Sequence, residues 1–342
     1  MTATARLRRR STTSHVLGLG IALGVLAALV LASLAIGAKP IPPGTVLRAL
    51  FRWHRSGDDQ AIIGDLRVAR TVVGLLAGAS LGLAGAVMQA ITRNPIADPG
   101  ILGVNAGAAF ALVLAIRVLG VTAAPLQVWF AFAGAAAAAV VVYLIGAHRR
   151  GPGGPATLAL AGAAVTALLA SATSTVLLFD LATLDEFRFW AVGSVAGQTT
   201  ELALQLAPFV VVGAVLALGS ARLLNALALG DDVARSLGQH VGRARLAAIT
   251  SIVLLVGASV SLAGPIAFVG LAVPHVARMV TGPDNRWLLP LAAVLGAILL
   301  LGTDILGRLI ARPGEIEVGV VTALVGGPVF VALVRWHHSV GR

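Results

Sequence analysis

Two of the few charged residues inside the apolar segments of this chain lie four positions apart. Asp304 and Arg308 fall in the apolar segment 286–310, where a helix would bring both side chains to one face as a neutralising ion pair. The pair could fix the end of that helix, or Arg308 could reach water and be offered to an acidic partner. No series of acids runs through the apolar segments, which argues against a carrier driven by protons or sodium ions.

A second set of charged residues lies in a polar stretch between two apolar runs, residues 221–245, which we call the island. Gly230 permits a sharp turn, and Asp231 and Asp232 follow it at a predicted helix start, where the positive end of the helix dipole stabilises acids. Four apolar residues recur at every fourth position and would share one helical face: Leu229, Val233, Leu237 and Val241. A surface helix that is apolar on one side and acidic at its start predicts a docking surface.

The sequence lacks the motifs of a nucleotide-hydrolysing site and of a zinc protease. It contains no Walker A pattern (GxxxxGKS or GxxxxGKT) and no HExxH, and the only lysine, Lys39, lies in AKPIPP. The chain has no cysteine, which excludes thiolate chemistry and disulfides. His275 stands alone, whereas a metal site needs several ligands. We therefore predict a protein that is not an enzyme, holds no metal and carries no cofactor of its own.

The composition predicts an all-α, polytopic membrane protein. Hydrophobic residues make up 58% of the 342 residues, charged residues only 11%, and the mean hydropathy is +0.95. Soluble domains carry about 25% charged residues, so a water-soluble fold is excluded. We predict a single transmembrane domain over residues 1–342 with about ten apolar helices. Their predicted cores are 15–38, 61–91, 100–117, 123–147, 155–181, 200–219, 241–263, 268–281, 286–310 and 316–336.

The distribution of the net charge of +11 predicts the orientation of the chain in a plasma membrane. With the N-terminus inside, the inner segments hold fifteen basic residues and four acids, against ten basic residues and ten acids outside. The positive-inside rule then places both termini and the island in the cytoplasm, and it explains the basic charge without nucleic acid. Arg67, Arg70 and Arg308 are exceptions at the outer ends of spans.

Four stretches of the sequence together resemble the FecCD family of ABC-transporter permeases, over about residues 66–336. They are DLRVARTVVGLLAGASLGLAGAVMQAITRNPIADPGILGVNAGAA, LGDDVARSLG, AGPIAFVGLAVPHVARMVTGPDNRWLLP and EIEVGVVTALVGGPVF. The resemblance implies the fold of a type II ABC importer permease with ten transmembrane helices. It also implies a dimer with a second copy or a paralogue, and a translocation path between the two subunits.

The resemblance implies two further partners and the residues that meet them. A separate ATPase would bind ATP and magnesium below the membrane, and an extracytoplasmic binding protein would deliver the substrate above it. By motif, the residues that couple to the ATPase are Gly230, Asp231, Asp232, Ala234, Arg235, Leu237 and Gly238. The arginines that match those meeting acidic residues of the binding protein are Arg67, Arg70 and Arg308.

The function implied by the resemblance is ATP-driven import, by default of iron–siderophore complexes, with haem or cobalamin as alternative substrates. A secondary transporter driven by an ion gradient is the alternative from a different class. Relatives often carry small hydroxyl residues at an inner gate between the fourth and fifth spans. The loop here reads GPGGPAT at 151–157, so no gate residue is assigned.

Overall fold

The computed structural model describes residues 12–37, 42, 44, 62–148, 154–312 and 314–340, and these residues form helices and connecting turns. A π-helical turn, Ile62–Arg67, leads directly into α2, and a 3₁₀ turn, Pro99–Leu102, precedes α3. Thirteen α-helices occupy the described ranges: α1 Thr12–Ala35, α2 Val68–Thr92, α3 Val104–Leu119, α4 Ala124–His148, α5 Gly154–Phe179, α6 Leu181–Val192, α7 Thr200–Gly219, α8 Ala221–Ala228, α9 Asp231–Ser236, α10 Val241–Ala263, α11 Val269–Thr281, α12 Asn285–Ile310 and α13 Val318–Val340.

The all-α class is confirmed, and each of the ten predicted apolar helices has a counterpart. Seven are long and apolar enough to cross a membrane, namely α1, α2 with its π-helical turn, α4, α5, α7, α10 and α12. The apolar parts of α3, α11 and α13 are shorter. As expected from sequence, the second apolar helix is overlong, with 31 residues from Ile62 to Thr92, and α11 has only 13 residues.

Helix α6 has no counterpart among the predicted helices, because nearly all of its residues fall between the predicted cores 155–181 and 200–219. Asp180 begins it as an N-cap, because its Oδ1 accepts hydrogen bonds from the backbone N–H groups of Ala182 and Thr183 at 3.2 and 3.4 Å. The helix has only 12 residues and exposes Leu181 and Phe189. The N-cap residue Asp180 was visible in the sequence. The helix was still missed, because it is too short to cross a membrane and resembles a connecting segment.

Helix α2 is the centre of the bundle. The most hydrophobic part of Ile62–Thr92 is 78% buried, and α2 packs against α7, α10, α11 and α12. Its sequence, VARTVVGLLAGASLGLAGAVMQAIT, is rich in Gly, Ala and Ser. Small residues let helices approach closely in a lipid environment, where apolar lipid tails give no hydrophobic drive for helix association.

The approach of α2 to α12 is close enough for backbone to meet backbone. A methyl group added at Gly82 would lie 2.2 Å from the carbonyl oxygen of Ala292. One added at Gly78 would lie 2.5 Å from the carbonyl oxygen of Gly296. Neither neighbour is the end of a flexible side chain, so only glycine fits these two positions of α2 without a shift of the helices.

Replacing Gly82 with Ala should therefore destabilise the protein by about 2 kcal/mol or more, because the added methyl group overpacks a backbone contact. Gly302→Ala in α12 is the matched control, since a methyl group there has no atom within 4 Å. It should leave stability unchanged or raise it by up to about 1 kcal/mol through better helix propensity. Unfolding of both variants in detergent measures the difference, and equal stabilities would contradict the proposed contact.

Candidate functional site

One end of α2 carries a buried group of charges that we call the arginine cluster, formed by Arg67, Arg70, Asp304 and Arg308. The Asp304 side chain has no exposed surface. Its Oδ1 accepts a hydrogen bond from Arg70 Nη2 at 2.7 Å, and its Oδ2 accepts one from Arg308 Nη2 at 2.6 Å. The predicted ion pair between Asp304 and Arg308 is confirmed, and Arg70 joins it from another helix.

Arg67 and Arg308 also donate hydrogen bonds to the last turn of α1. Arg308 Nη1 donates to the carbonyl oxygens of Ser33 and Ile36 at 3.0 and 2.7 Å. Arg67 Nη1 donates to those of Leu34 and Ala35, both at 2.8 Å. The last carbonyls of a helix lack partners within the helix, and cations are favoured there. The two arginines therefore satisfy the end of α1 and fasten it to α2 and α12.

The expectation that Arg308 reaches water is wrong for this structure. Arg308 is 3% exposed and Arg67 is 6% exposed, because both guanidinium groups are bound by the protein itself. Arg70 is the least buried of the three, with 11% of its side chain exposed, and its Nη1 donates to Glu315 Oε2 at 2.5 Å. Docking of a binding protein on these arginines stays a prediction, and Arg70 is the one closest to the surface.

The other end of α2 meets the island. The predicted turn at Gly230 and the helix start at Asp231 are confirmed, but the helix does not continue to Val241. Gly230 and Gly238 have φ values of +113° and +78°, and the chain between Leu237 and His240 is not helical. The island therefore consists of α8, α9 and the first turns of α10. The prediction of one apolar face is wrong, because a helix cannot continue through these two glycines. Leu229, Val233 and Leu237 are exposed, whereas Val241 is buried.

Asp231 and Asp232 are neighbours in the chain but have different environments. The carboxylate of Asp231 accepts hydrogen bonds from Arg93, at the end of α2, and from Arg245 of α10, the latter at 2.8 Å. Arg93 also donates through Nε to the carbonyl oxygen of Leu227 at 2.8 Å. Asp231 thus joins α9 to two long helices. This role was not visible in the sequence, because Arg93 and Asp231 are 138 positions apart.

The outward side of α9 carries both charged and apolar side chains. The Asp232 side chain is 99% exposed and pairs with Arg235 at 2.8 Å. Val233 and Leu237 are exposed next to this pair in the chain, whereas Ala234 is fully buried and anchors α9 to the protein. Of the predicted coupling residues, Asp232, Arg235, Leu237 and Gly238 therefore lie on the surface. Asp231 and Ala234 support that surface from within.

A polar junction connects the island to α12. Asn225 of α8 donates through Nδ2 to Asp284 Oδ1 at 2.7 Å and accepts from the backbone N–H of Asn285 at 2.9 Å. Asp284 also caps α12 and binds Arg286, whose hydrogen bonds lower the pKa of Asp284 to about 2. The carboxylate is therefore charged at every physiological pH. Its contribution to stability is present above its ordinary pKa and is lost only as the pH falls through about 2.

The charged side chains at both ends of α2 fasten helices to one another. Among the residues that the structure describes, no group of three His, Asp or Glu side chains is placed to hold a metal ion. The charged groups instead form ion pairs at the two ends of a bundle of apolar helices. Together with seven helices long and apolar enough to cross a membrane, these features describe a multi-pass helical membrane protein.

Comparison with known proteins gives the family. The chain belongs to the FecCD transport family, whose model matches residues 25–336. It is 45% identical to the ferric enterobactin transport system permease protein of Escherichia coli, over 91% of this chain and 94% of that protein. It is 42% identical to a probable siderophore transport system permease protein of Bacillus subtilis, over 85% and 89%. A metal-chelate type ABC transporter solved in an inward-facing conformation superposes with a TM-score of 0.81 at 28% identity, over 93% of this chain and 98% of that one. The chain is thus the permease of an ABC importer.

Removing the charge of Asp304 should destabilise the protein strongly. Asp304→Asn leaves Arg70 and Arg308 buried without their carboxylate, and breaking a buried ion pair typically costs 3–5 kcal/mol. Glu315→Gln is the control, because it alters only the more exposed partner of Arg70 and should change stability by less than about 1 kcal/mol. Unfolding in detergent measures both variants, and an Asp304→Asn protein as stable as the control would contradict the structural role of the cluster.

The two neighbouring acids of the island should respond differently to the same change. Asp231→Asn weakens two charged hydrogen bonds and should lower stability by about 1–2 kcal/mol. Asp232→Asn should leave stability unchanged, since its side chain is almost fully exposed. Proteolysis of the island in the intact protein provides a second measurement, with faster cleavage expected only for Asp231→Asn. Equal cleavage of both variants would contradict the role of Asp231 in joining α9 to α2 and α10.

Proposed function

We propose that this chain is the membrane subunit of an importer for iron–siderophore complexes. Two copies, or one copy and a paralogous permease, form the path between them, and a separate ATPase supplies the energy. The observation that carries the proposal is similarity along nearly the whole chain to permeases named for ferric enterobactin and for siderophores. The chain itself contributes no bond-making chemistry and changes only its affinity for its partners between two states.

The island is the proposed contact with the ATPase. Asp232, Arg235 and Leu237 on its outward side would enter a cleft of that subunit, and Gly230 and Gly238 shape the turns on either side of α9. Asp231 binds α9 to the ends of α2 and α10 through Arg93 and Arg245. Since those helices are long and well packed, a displacement of the island by the ATPase would move them with it. A contact of the island with the ATPase would put the island and both termini on the cytoplasmic side.

The arginine cluster is the proposed contact with the extracytoplasmic binding protein. It lies at the end of α2 opposite the island, as a docking site for that partner requires. Arg70 is the best placed of its members, because it binds buried Asp304 through Nη2 and the more exposed Glu315 through Nη1. An acidic residue of the binding protein would replace Glu315 at Nη1, while the bond to Asp304 keeps the guanidinium in position.

Uptake by the reconstituted complex tests the proposed function. Liposomes should contain the permease, its ATPase and its binding protein, and the probe should be a radiolabelled ferric siderophore, with haem and cobalamin as competing substrates. We expect uptake that requires ATP, is insensitive to an uncoupler and is not suppressed by excess haem or cobalamin. Uptake that persists without ATP and stops with the uncoupler would identify a secondary transporter. Uptake of haem or cobalamin alone would replace the proposed substrate.

A charge exchange on the island tests the contact with the ATPase within the same assay. In the double variant Asp232→Arg with Arg235→Asp, the pair on α9 can still form, but the charges that face the partner are reversed. We expect uptake to fall at least tenfold while stability and membrane insertion are retained. Normal uptake by this variant would remove the surface pair from the coupling mechanism.

Two substitutions should change the affinity for the binding protein in opposite directions. Glu315→Gln frees Arg70 Nη1 from its carboxylate and should tighten binding severalfold, whereas Arg70→Gln removes the cation and should weaken it at least tenfold. Binding to the purified complex in nanodiscs, measured at two salt concentrations, gives both affinities. Weaker binding by Glu315→Gln would contradict the exchange of one carboxylate for another at Arg70.

A further inference from the structure

A cavity of about 460 Å³ lies at the end of the bundle that carries the island. It opens where α7 passes into α8, beside the first turns of α12. Two arginines and small or apolar residues form its wall, namely Leu218, Gly219, Ala221, Arg222, Arg286 and Pro290. Ala221 and Arg222 belong to the island, but none of the lining residues is among those proposed to enter the ATPase or to meet the binding protein.

The cavity has an excess of positive charge. Arg222 is exposed and has no hydrogen bond or ion pair with any residue in the described part of the chain. Arg286 uses Nε and Nη2 to bind the carboxylate of Asp284, which leaves its Nη1 available. Asp284 pairs with Arg286, whereas no acid in the described part of the chain pairs with Arg222. A net charge of about +1 therefore faces an anion that enters the cavity.

The apolar wall of the cavity continues along the surface of α7. Leu218 is exposed, and so are Val215 and Val211, which precede it by one and two helical turns on the same face. Helix α7 is one of the helices long and apolar enough to cross a membrane. The cavity therefore lies where the exposed apolar face of α7 ends and cationic groups begin. Such a boundary on a membrane-spanning helix is typical of the depth of phospholipid headgroups.

We propose that this cavity binds the headgroup phosphate of an anionic phospholipid, with an acyl chain along Leu218, Val215 and Val211 of α7. The phosphate would be bound by Arg222 and by the free Nη1 of Arg286, since guanidinium groups bind phosphate oxygens through charge-assisted hydrogen bonds. A soluble phosphate would use the same arginines but would gain nothing from the apolar face. A zwitterionic choline headgroup would bring its own cation towards the two arginines.

Native mass spectrometry of the full-length protein tests the proposal. The protein is extracted from nanodiscs of phosphatidylglycerol and phosphatidylcholine in equal amounts, and the lipid retained per chain is counted. We expect wild type to retain phosphatidylglycerol at least tenfold over phosphatidylcholine. Arg222→Gln should weaken that retention about fivefold, the equivalent of ~1 kcal/mol for one basic residue at a membrane surface. Arg222→Gln with Arg286→Gln should weaken it further.

Arg243→Gln is the matched control, because Arg243 is an exposed arginine of the island that does not line the cavity. It should retain the lipid as wild type does. Unchanged retention by Arg222→Gln, or an equal loss in Arg243→Gln, would overturn the site. Arg222→Gln leaves the bond between Arg286 and Asp284 intact, so its result does not depend on the capping of α12. Release of the lipid by millimolar inorganic phosphate would overturn the lipid as the ligand and assign a soluble anion instead.

Discussion

Contact of backbone with backbone between α2 and α12 is the constraint on which the rest of the structure depends. Gly78 and Gly82 leave no side chain between the helices, so α12 is fixed against α2 along their length. Because the backbones of α2 and α12 are in direct contact, the distance between the helices is set. The residues at the ends of both helices are therefore held in fixed relative positions. Arg70 in the first turn of α2 reaches Asp304 in the last turns of α12 only with the helices in this register.

Charge at both ends of α2 is turned inward and used to join helices. At one end Asp304 receives Arg70 and Arg308, and at the other Asp231 receives Arg93 and Arg245. Each carboxylate accepts hydrogen bonds from two arginines of different parts of the chain, so one acid joins two segments. A displacement applied to α9 therefore reaches α2 directly, and a displacement of α2 changes the contacts of Asp304.

The parts of this structure that sequence alone could predict are those set by local patterns. The apolar runs predicted all ten apolar helices, and the separation of four positions predicted the ion pair between Asp304 and Arg308. The interactions that assemble the clusters join residues far apart in the chain, such as Arg70 and Asp304, separated by 234 positions. No pattern of neighbouring residues in the sequence predicts such long-range pairs. The periodic face predicted for the island was misleading, because Gly230 adopts a backbone angle that ends a helix.

The same non-local contacts give the three arginines of the cluster different availability to a partner. Arg67 and Arg308 hold the carbonyl groups that end α1, and removing them would leave those acceptors without partners in an apolar bundle. Arg70 binds no α1 carbonyl, and its more exposed bond ends on Glu315, in the segment before α13. A partner's acid can therefore reach Arg70 by displacing one side chain, whereas it reaches Arg308 only if α1 moves away. Docking at this end would involve Arg70 first, and a contact with Arg308 would require a change in how α1 packs.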